Sequence, residues 1–311
     1  MTRHAPRVVI GLPVHNSERF LPETLESIAA QDYPNLEIVI SDDASSDGTP
    51  DICHDFARRD ARCRVERHTE RLGWIANYNS LLRHSTGDYF LWVPHDDLYD
   101  PTYVGSLVAL LEARPDAVLA YSTTLAIDER GTVLRTFGGN AALGRASTRL
   151  QRALRYLWWA ENEKFIPFRG VVRSDAIRTA GGLESGPWGI YADDLWLYRL
   201  ALLGGFVHED RPLCRKRIHR GSVSTTNRYT LGQRLAYLSA HRALGRRARL
   251  TRRERAALRA AIAFRQAGVI AGWLPRLVPT DRLGWYLSPA ELPRRLRNLS
   301  RRLRGLGPPS G

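Results

Sequence analysis

The chain has 311 residues, of which 43% are hydrophobic and 25% charged, a composition typical of a soluble globular protein that can bury a large core. Its three cysteines are widely spaced and form no Cys-x-x-Cys pair, which excludes a disulfide scaffold and fits a reducing compartment. The net charge of +14 could indicate a nucleic-acid-binding protein, but residues 228–311 alone contain 19 Arg against 3 acidic residues. The excess positive charge therefore belongs to the C-terminal part, and the rest of the chain is close to neutral.

Strands and helices alternate through the first part of the chain. Short apolar runs predict strands at Arg7–His15, Leu36–Ser41, Arg64–Arg67, Tyr89–Val93 and Ala117–Ser122. Apolar residues at helical spacing predict helices after Ser17, which could cap the first of them, and then from Thr49, Trp74 and Pro101. This alternation predicts an α/β fold, with a mostly parallel sheet and helices on both faces. No GxGxxG or Walker A loop follows the first strand, which disfavours a dehydrogenase or a P-loop NTPase.

Further elements follow in the second half of the chain. The pattern predicts a helix at Leu150–Glu161, a strand-like segment at Phe165–Arg173, a helix from Ala192 to about Gly204, and an extended segment at Phe206–His219. Arg-rich helices are predicted at Leu231–Arg249 and Thr251–Gly272, the second starting with a capping box. We therefore expect a catalytic domain at 1–226, with halves at about 1–128 and 129–226, and a basic helical extension at 227–311.

Paired carboxylates follow two of the predicted strands. Asp42-Asp43 comes after the second strand, and Asp96-Asp97 comes shortly after the run Tyr89–Val93. In an open α/β sheet, ligands bind beyond the carboxyl ends of the strands. Two adjacent acids there are costly unless a cation or a proton neutralises them, and Mg²⁺ or Mn²⁺ would do so while binding phosphates. Asp96 and Asp97 thus indicate either a metal–diphosphate site or a solvated turn, and these residues alone favour neither.

Five motifs in order decide between those interpretations. They are Leu12–Glu18, Ser41–Thr49, Leu72–Asn79, Gly87–Asp97 and Ala192–Asp194. Together they make residues 7–225 resemble a family 2 glycosyltransferase, a family with the GT-A fold. The sequence departs from the family's Asp-x-Asp motif in one place, because Pro94 stands where the first acid is usual and Asp96 matches the last.

The resemblance implies a binding site for a nucleotide-sugar donor. Residues from the end of the first strand should line the nucleotide, namely Pro13, His15, Asn16 and Glu18. Asp43, with Asp42 as a second candidate, should accept a hydrogen bond from the base, for which uracil is expected. Asp42 could instead stabilise a turn. Arg71, Asn77 and Asp96 complete the implied nucleotide site, although Arg71 could equally be a solvated surface residue.

The resemblance also implies the metal site and the catalytic base. Asp96, Asp97 and His219 should bind Mg²⁺ or Mn²⁺ on the diphosphate, while a lone His such as His219 is more often structural. Asp193 best matches the family's catalytic base and Asp194 is the second choice, although acids at a helix N-terminus also stabilise the helix dipole. Single displacement by an acceptor hydroxyl would invert the anomeric carbon.

The expected partners are a nucleotide-sugar donor, a UDP-sugar first, and a glycan, lipid-linked or small-molecule acceptor. Residues 228–311 could lie on an anionic membrane, bind nucleic acid or pack on the domain; we favour the membrane and expect no nucleic acid. The sequence shows no signal peptide and no 18-residue apolar run, so we expect a cytoplasmic protein, peripheral at the inner face of the membrane. The alternative function is a non-catalytic nucleotide-sugar-binding scaffold in a glycan assembly complex.

Overall fold

The computed structural model describes residues 5–139, 141–159, 163–220 and 230–277. The tail beyond residue 277, on which part of the membrane prediction rests, lies outside these ranges. Within them, nine strands form one sheet. The strands are β1 (Val8–Val14), β2 (Leu36–Asp42), β3 (Cys63–Arg67), β4 (Tyr89–Trp92), β5 (Leu98–Tyr99), β6 (Ala117–Ile127), β7 (Val133–Phe137), β8 (Val171–Arg173) and β9 (Gly205–Arg217).

Helices cover the sheet and extend past it at the C-terminal end. The α-helices are α1 (Leu21–Ala29), α2 (Thr49–Arg59), α3 (Trp74–Leu82), α4 (Tyr103–Ala113), α5 (Ala141–Gly144), α6 (Arg149–Trp158), α7 (Ser174–Ala180), α8 (Ala192–Leu203), α9 (Leu231–Arg247) and α10 (Arg252–Leu277). The described ranges contain no helix that is both long and apolar enough to cross a membrane.

The first half of the sheet is parallel, as the sequence predicts. β1 pairs with β2 on one side and with β4 on the other, and β2 pairs with β3. Val14 lies opposite Asp42 in this register. Because the strands are parallel, the residues that follow β1, β2 and β4 meet at one edge of the sheet.

The second half of the sheet is mixed. β8 lies antiparallel between β4 and β6, and β9 runs parallel to β6 and antiparallel to β5. Leu98 lies opposite Arg215, so the end of β9 reaches the acidic residues that follow β4. The α/β prediction is confirmed, but the antiparallel strands were not predicted, because the direction of a short strand depends on loops and not on its own sequence.

Alternating strand residues build a core on each face of the sheet. Val8 and Ile10 pack in one core with side chains of α1, α2 and α4. Val9 and Phe90 pack in the other, which also contains residues of α3, α6, α8, α9 and α10. The basic helices α9 and α10 therefore share a hydrophobic core with the sheet, which is the third of the three roles considered for them.

One local prediction was wrong, one was correct only in part and one was confirmed. Ser17 is not the N-cap of α1, which begins at Leu21 with no side-chain cap. The predicted strand at Phe165–Arg173 is a 3₁₀ turn, Ile166–Arg169, followed by β8. The turn contains Pro167, which has no amide hydrogen for a strand ladder. The capping box before α10 is present, since Thr251 and Glu254 exchange side-chain-to-backbone hydrogen bonds at 2.8 and 3.2 Å.

Candidate active site

The loops after β1 and β2 are held together in a strained conformation. Asn16 and Ala44 have φ angles of +46° and +53°, a region that residues other than glycine seldom adopt. The Asn16 amide donates to Ser45 Oγ at 3.0 Å, and its side-chain oxygen accepts the Ser46 amide at 2.9 Å. His15 Nδ1 lies 2.7 Å from the Asp43 carbonyl oxygen. Strain of this kind is concentrated at functional sites, which supports a binding role for this edge.

Asp43 fixes the segment that leads into α3. Its buried carboxylate accepts the amide hydrogens of Leu72, at 2.5 Å, and Gly73, at 2.9 Å. Gly73 has a φ of +84°, a backbone conformation that is unfavourable for any residue with a side chain. Each carboxylate oxygen can accept a second hydrogen bond, so the base-recognition role of Asp43 remains compatible with these contacts and stays a prediction.

Asp42 and Asn77 lie beneath this edge and brace it. Asp42 Oδ1 accepts hydrogen bonds from the amide and hydroxyl of Ser45, at 3.1 and 2.5 Å, which is the turn-stabilising role considered for it. The buried Asn77 amide donates to the carbonyls of Val14 and Ser41, at 3.3 and 3.2 Å, and so joins β1 to β2. Asp42 Oδ1 and the Asn77 side chain thus bond to protein groups, so they stabilise this edge of the sheet.

The remaining residues predicted to bind nucleotide have different surroundings. Pro13 is buried in β1 opposite Ser41. Glu18 is exposed and accepts the Gly48 amide at 2.8 Å, so it holds the start of α2. Arg71 is exposed beside the segment that Asp43 holds. The nucleotide-binding role of Arg71 therefore stays a prediction.

The adjacent acids Asp96 and Asp97 have opposite environments. Asp97 is fully buried; its Oδ2 accepts from Arg169 Nε at 2.5 Å and its Oδ1 from the Arg217 amide at 3.0 Å. Burial raises the pKa of Asp97. Asp97 thus fixes the end of β9 and the 3₁₀ turn, and its full burial beside the Arg169 guanidinium disfavours its predicted role as a metal ligand.

Asp96 is partly exposed and charged. Its Oδ2 lies 3.0 Å from His219 Nε2, and the Asp96 side chain is 16% exposed. Burial acts to raise the pKa of Asp96, but the His219 hydrogen bond and nearby positive charges lower it to about 2. The carboxylate is therefore ionised at neutral pH. Asp96 and His219, predicted from distant parts of the sequence, are brought together as the prediction requires.

Arg217 and Arg169 hold this region and were missed by the sequence analysis. The buried Arg217 guanidinium pairs with Glu23 at 2.7 Å and donates to the carbonyl oxygens of Asp96, at 3.2 Å, and Glu129, at 3.0 Å. The only sequence signal for Arg217 was its place in the basic run before His219. Arg169 had no signal, because its segment was interpreted as a strand.

The second acidic pair, Asp193 and Asp194, also divides into two roles. Asp194 is buried and accepts the hydroxyls of Tyr156, at 2.5 Å, and Tyr237, at 2.6 Å, so it joins α8 to α6 and α9. Asp193 Oδ1 accepts the Asp194 amide at 2.8 Å. Asp193 is half-buried, and burial together with the charge of Asp194 raises its pKa from 3.8 to about 7. A general base is most effective when its pKa is close to the working pH, so Asp193 fits the predicted role of catalytic base better than Asp194 does.

Aromatic side chains connect the two acidic pairs. Tyr78 stacks on Phe168 at 5.6 Å, and Phe168 stacks on Trp92 at 5.1 Å. Burial raises the pKa of Tyr78, and the charges of Asp96 and Asp193 raise it further. Trp92 of β4 also contacts Trp196 of α8, with ring centroids 4.7 Å apart, so the end of β4 packs against the first half of α8.

The described residues offer few side chains that could bind a metal ion. In the described part of the chain, no group of three or more His, Cys, Asp or Glu side chains is arranged to hold a metal ion. Asp96 and His219 supply two ligands at most. Mg²⁺ is commonly bound by one or two carboxylates together with substrate phosphates and water, so this set fits a cation that arrives with a diphosphate.

Comparison with models of known protein families shows to which family this chain belongs. Residues 9–172 match the family model of glycosyl transferase family 2, which is more than half of the chain. The chain belongs to this family. Its matched region runs from β1 to β8 and includes every acid predicted for the site except Asp193 and Asp194. The resemblance identified from the sequence motifs is thus confirmed.

Individual relatives support the family and the fold. EpsE of Bacillus subtilis (strain 168), which is named as a glycosyltransferase, is 35% identical over 127 residues, which are 40% of this chain and 46% of EpsE. The chain thus spans less than half the length of this curated relative. TarS 1–349 of S. aureus, solved with UDP-GlcNAc, has a TM-score of 0.64 at 16% identity and covers 97% of this chain and 82% of its own. That likeness confirms the predicted fold class.

A second solved structure has a similar fold. The mannosyltransferase PcManGT of Pyrobaculum calidifontis, in complex with GDP-Man and Mn²⁺, has a TM-score of 0.56 at 18% identity. It covers 96% of this chain and 81% of its own. At these identities the comparisons show the common fold, and the ligands named belong to those proteins.

Proposed function

We propose that the chain is an inverting glycosyltransferase that depends on a divalent metal and moves a sugar from a nucleotide-diphosphate sugar to an acceptor hydroxyl. One observation carries the proposal. Asp96, ionised at neutral pH, follows β4, and Asp193, with a pKa of about 7, lies at the start of α8, and these two elements pack together through Trp92 and Trp196, whose ring centroids are 4.7 Å apart. A charge that binds a cation and a carboxylate suited to accept a proton are what this reaction needs.

The donor would occupy the edge formed by the ends of β1, β2 and β4. The Asp43 carboxylate, held by the amides of Leu72 and Gly73, is the candidate for recognising the base. Asp96 and His219 would hold the cation, Mg²⁺ or Mn²⁺, whose chemistry is to neutralise the charge that develops on the leaving diphosphate. Relatives of this fold solved with UDP-GlcNAc and GDP-Man support a nucleotide-sugar donor, and a UDP-sugar remains the first expectation.

The acceptor would enter from the side of α8. Asp193 would take the proton of an acceptor hydroxyl as that oxygen bonds to the anomeric carbon and the bond to the diphosphate breaks. Attack from the face opposite the leaving group inverts the anomeric configuration. Asp194 cannot easily share this task, because two tyrosine hydroxyls occupy its oxygens. Asp194 instead keeps Asp193 in place and raises its pKa.

A non-catalytic nucleotide-sugar-binding scaffold is the alternative. Such a protein would need the donor edge and Asp96, but it would have no use for a carboxylate with a raised pKa near them. The raised pKa of Asp193 therefore favours catalysis over binding alone. We also propose that the acceptor is a glycan, a lipid-linked sugar or a small molecule. The protein would be cytoplasmic and would contact the membrane through residues 228–311.

A donor screen tests the proposal. Purified protein is incubated with Mg²⁺ or Mn²⁺ and a panel of UDP-, GDP- and dTDP-sugars, and release of the nucleoside diphosphate is followed with and without EDTA. We expect slow, EDTA-sensitive hydrolysis of one donor, which Asp96→Asn abolishes and Asp51→Asn, an exposed residue of α2, leaves unchanged. Release unaffected by EDTA would contradict the metal role, and failure of every donor to bind would contradict the proposed function.

A further inference from the structure

The two basic helices fold against each other through a short connection. Residues 248–251 separate α9 from α10, and such short connections make consecutive helices antiparallel neighbours. Gly245 of α9 allows the close approach, because a Cβ there would lie 2.5 Å from Leu258 Cδ2 of α10. Leu258 and Ile262 are 2% and 0% exposed, so the base of this contact is packed.

A cleft of about 410 Å³ opens between these helices, and arginines dominate its walls. We call it the Arg cleft. Its lining residues are Arg242, Gly245, Arg246, Arg252, Arg255, Leu258, Arg259 and Ile262. The arginines are spaced by four residues in α9 and by three and four residues in α10, so each helix turns one basic face toward the cleft.

The charges of the Arg cleft lack a counter-ion among the described residues. None of its five arginines forms an ion pair with a carboxylate there, although other surface arginines of the chain commonly do. The sole acid of residues 231–277 is Glu254, whose side chain accepts the Thr251 amide at 2.8 Å in the capping box. Like charges gathered around one cavity repel each other, and a bound anion would relieve this repulsion.

We propose that the Arg cleft binds a phosphate or diphosphate group. Guanidinium groups bind phosphate oxygens in pairs of parallel hydrogen bonds, and several of them suit a multiply charged anion better than a single carboxylate. The cleft shares no residue with the donor edge or with Asp193, so the inference is independent of the proposed function. The phosphate could belong to a lipid headgroup or be free in solution, and the experiment separates these sources.

The experiment compares two double variants with the same change in net charge. Arg246→Glu with Arg259→Glu reverses charges inside the cleft. Arg247→Glu with Arg253→Glu reverses exposed charges on the same two helices that do not line it. The probes are inorganic pyrophosphate, followed by titration calorimetry, and phosphatidylcholine vesicles with or without phosphatidic acid, followed by sedimentation at moderate salt.

We expect the unaltered chain to bind at least one probe, and the cleft variant to bind it at least about tenfold more weakly than the control variant does. Binding to phosphatidic acid vesicles but not to pyrophosphate would identify a lipid headgroup, and the reverse would identify a soluble phosphate. Equal weakening in the two variants, or no binding of either probe, would overturn the proposal. Circular dichroism verifies folding, and if charge reversal unfolds the cleft variant, Arg246→Gln with Arg259→Gln replaces it and Arg247→Gln with Arg253→Gln becomes the control.

Discussion

Neighbouring carboxylates in this chain perform different tasks because their surroundings differ. Asp97 and Asp194 are buried, and each of their carboxylate oxygens accepts a hydrogen bond from a protein group, whereas Asp96 and Asp193 remain partly accessible. In each adjacent pair, the hydrogen bonds of the buried acid fix the local backbone, and this backbone holds the partly accessible acid in position. A sequence motif of two adjacent acids cannot show this division, since it depends on which side chain meets Arg169 or Tyr237 in the fold.

The first prediction concerns the catalytic base. Asp193→Asn should lower kcat by about 10²–10⁴-fold, because the amide cannot accept the acceptor proton. Donor affinity should stay within about twofold, because Asp193 is absent from the donor edge and binding of the nucleotide does not use it. Steady-state transfer rates and calorimetric titration with the donor measure the two quantities.

Asp194→Asn is the matched control for that variant. It should weaken the hydrogen bonds to Tyr156 and Tyr237 and cost about 1–3 kcal/mol of unfolding free energy. Its residual activity per folded molecule should exceed that of Asp193→Asn. If Asp194→Asn instead removed turnover without loss of stability, the two acids would have to exchange roles.

The second prediction is a pH dependence with a definite sign. Because a base must be ionised, kcat/KM should fall about tenfold per pH unit below pH 7, and Asp193→Asn should remove this dependence. Stability should change over the same window. The folded state keeps a proton on Asp193 up to about pH 7, whereas the unfolded chain loses it near 3.8. Unfolding free energy therefore decreases from about pH 4 to pH 7 and levels off above it.

Urea unfolding at pH 5 and pH 8 checks the stability part of this prediction. The unaltered chain should lose stability relative to Asp193→Asn between these two values. An identical pH dependence in both proteins would show that the pKa of Asp193 is not raised in the folded chain.

The third prediction concerns the buried pair of Asp97 and Arg169. Asp97→Asn leaves the buried guanidinium without its counter-charge and should cost about 3 kcal/mol of unfolding free energy. Arg169→Met should also destabilise, but the double variant should lose less than the sum of the two losses, because no charge is then left unpaired. Additive losses in urea unfolding would mean that the two side chains do not interact.

At the scale of elements, the sequence predicts what local patterns determine. The apolar strands and amphipathic helices of the parallel half lie where the hydrophobic period places them. Pairing across the second half was not predictable, since β8 is three residues long and its neighbours are chosen by tertiary contacts. The proximity of His219 to Asp96 could be expected only through the family resemblance, because 123 residues separate them.

The fourth prediction concerns the contact between α9 and α10. Gly245→Leu should destabilise the chain by about 1–3 kcal/mol, because Leu258 occupies the space that the new side chain needs. Gly272→Leu is the control, because a Cβ at Gly272 meets no atom within 4 Å. It should be neutral or stabilise the helix by up to about 1 kcal/mol. Thermal unfolding of both variants measures the difference, and equal midpoints would contradict the packing described for Gly245.

At the scale of the whole molecule, side chains from both sides of the predicted boundary at residue 226 pack in one hydrophobic core. The sequence analysis placed the boundary there because composition changes abruptly at that point. Composition reports the exposed faces of α9 and α10, which are basic, but not their buried faces. The side chains that these helices and their connection add to the core are each at most 5% exposed: Tyr237, Leu238, Leu250, Leu258 and Ile262.

The fifth prediction tests whether the basic helices are part of the catalytic unit. Burial of an apolar or aromatic side chain contributes about 2 kcal/mol, so these side chains together contribute about 10 kcal/mol, similar to the whole stability of a domain. A chain ending at residue 226 also leaves Asp194 without the Tyr237 hydroxyl. It should therefore show no cooperative thermal transition, whereas a chain ending at residue 277 should unfold cooperatively. If both chains unfolded at the same midpoint, α9 and α10 would be an independent unit and the composition change would mark a true domain boundary.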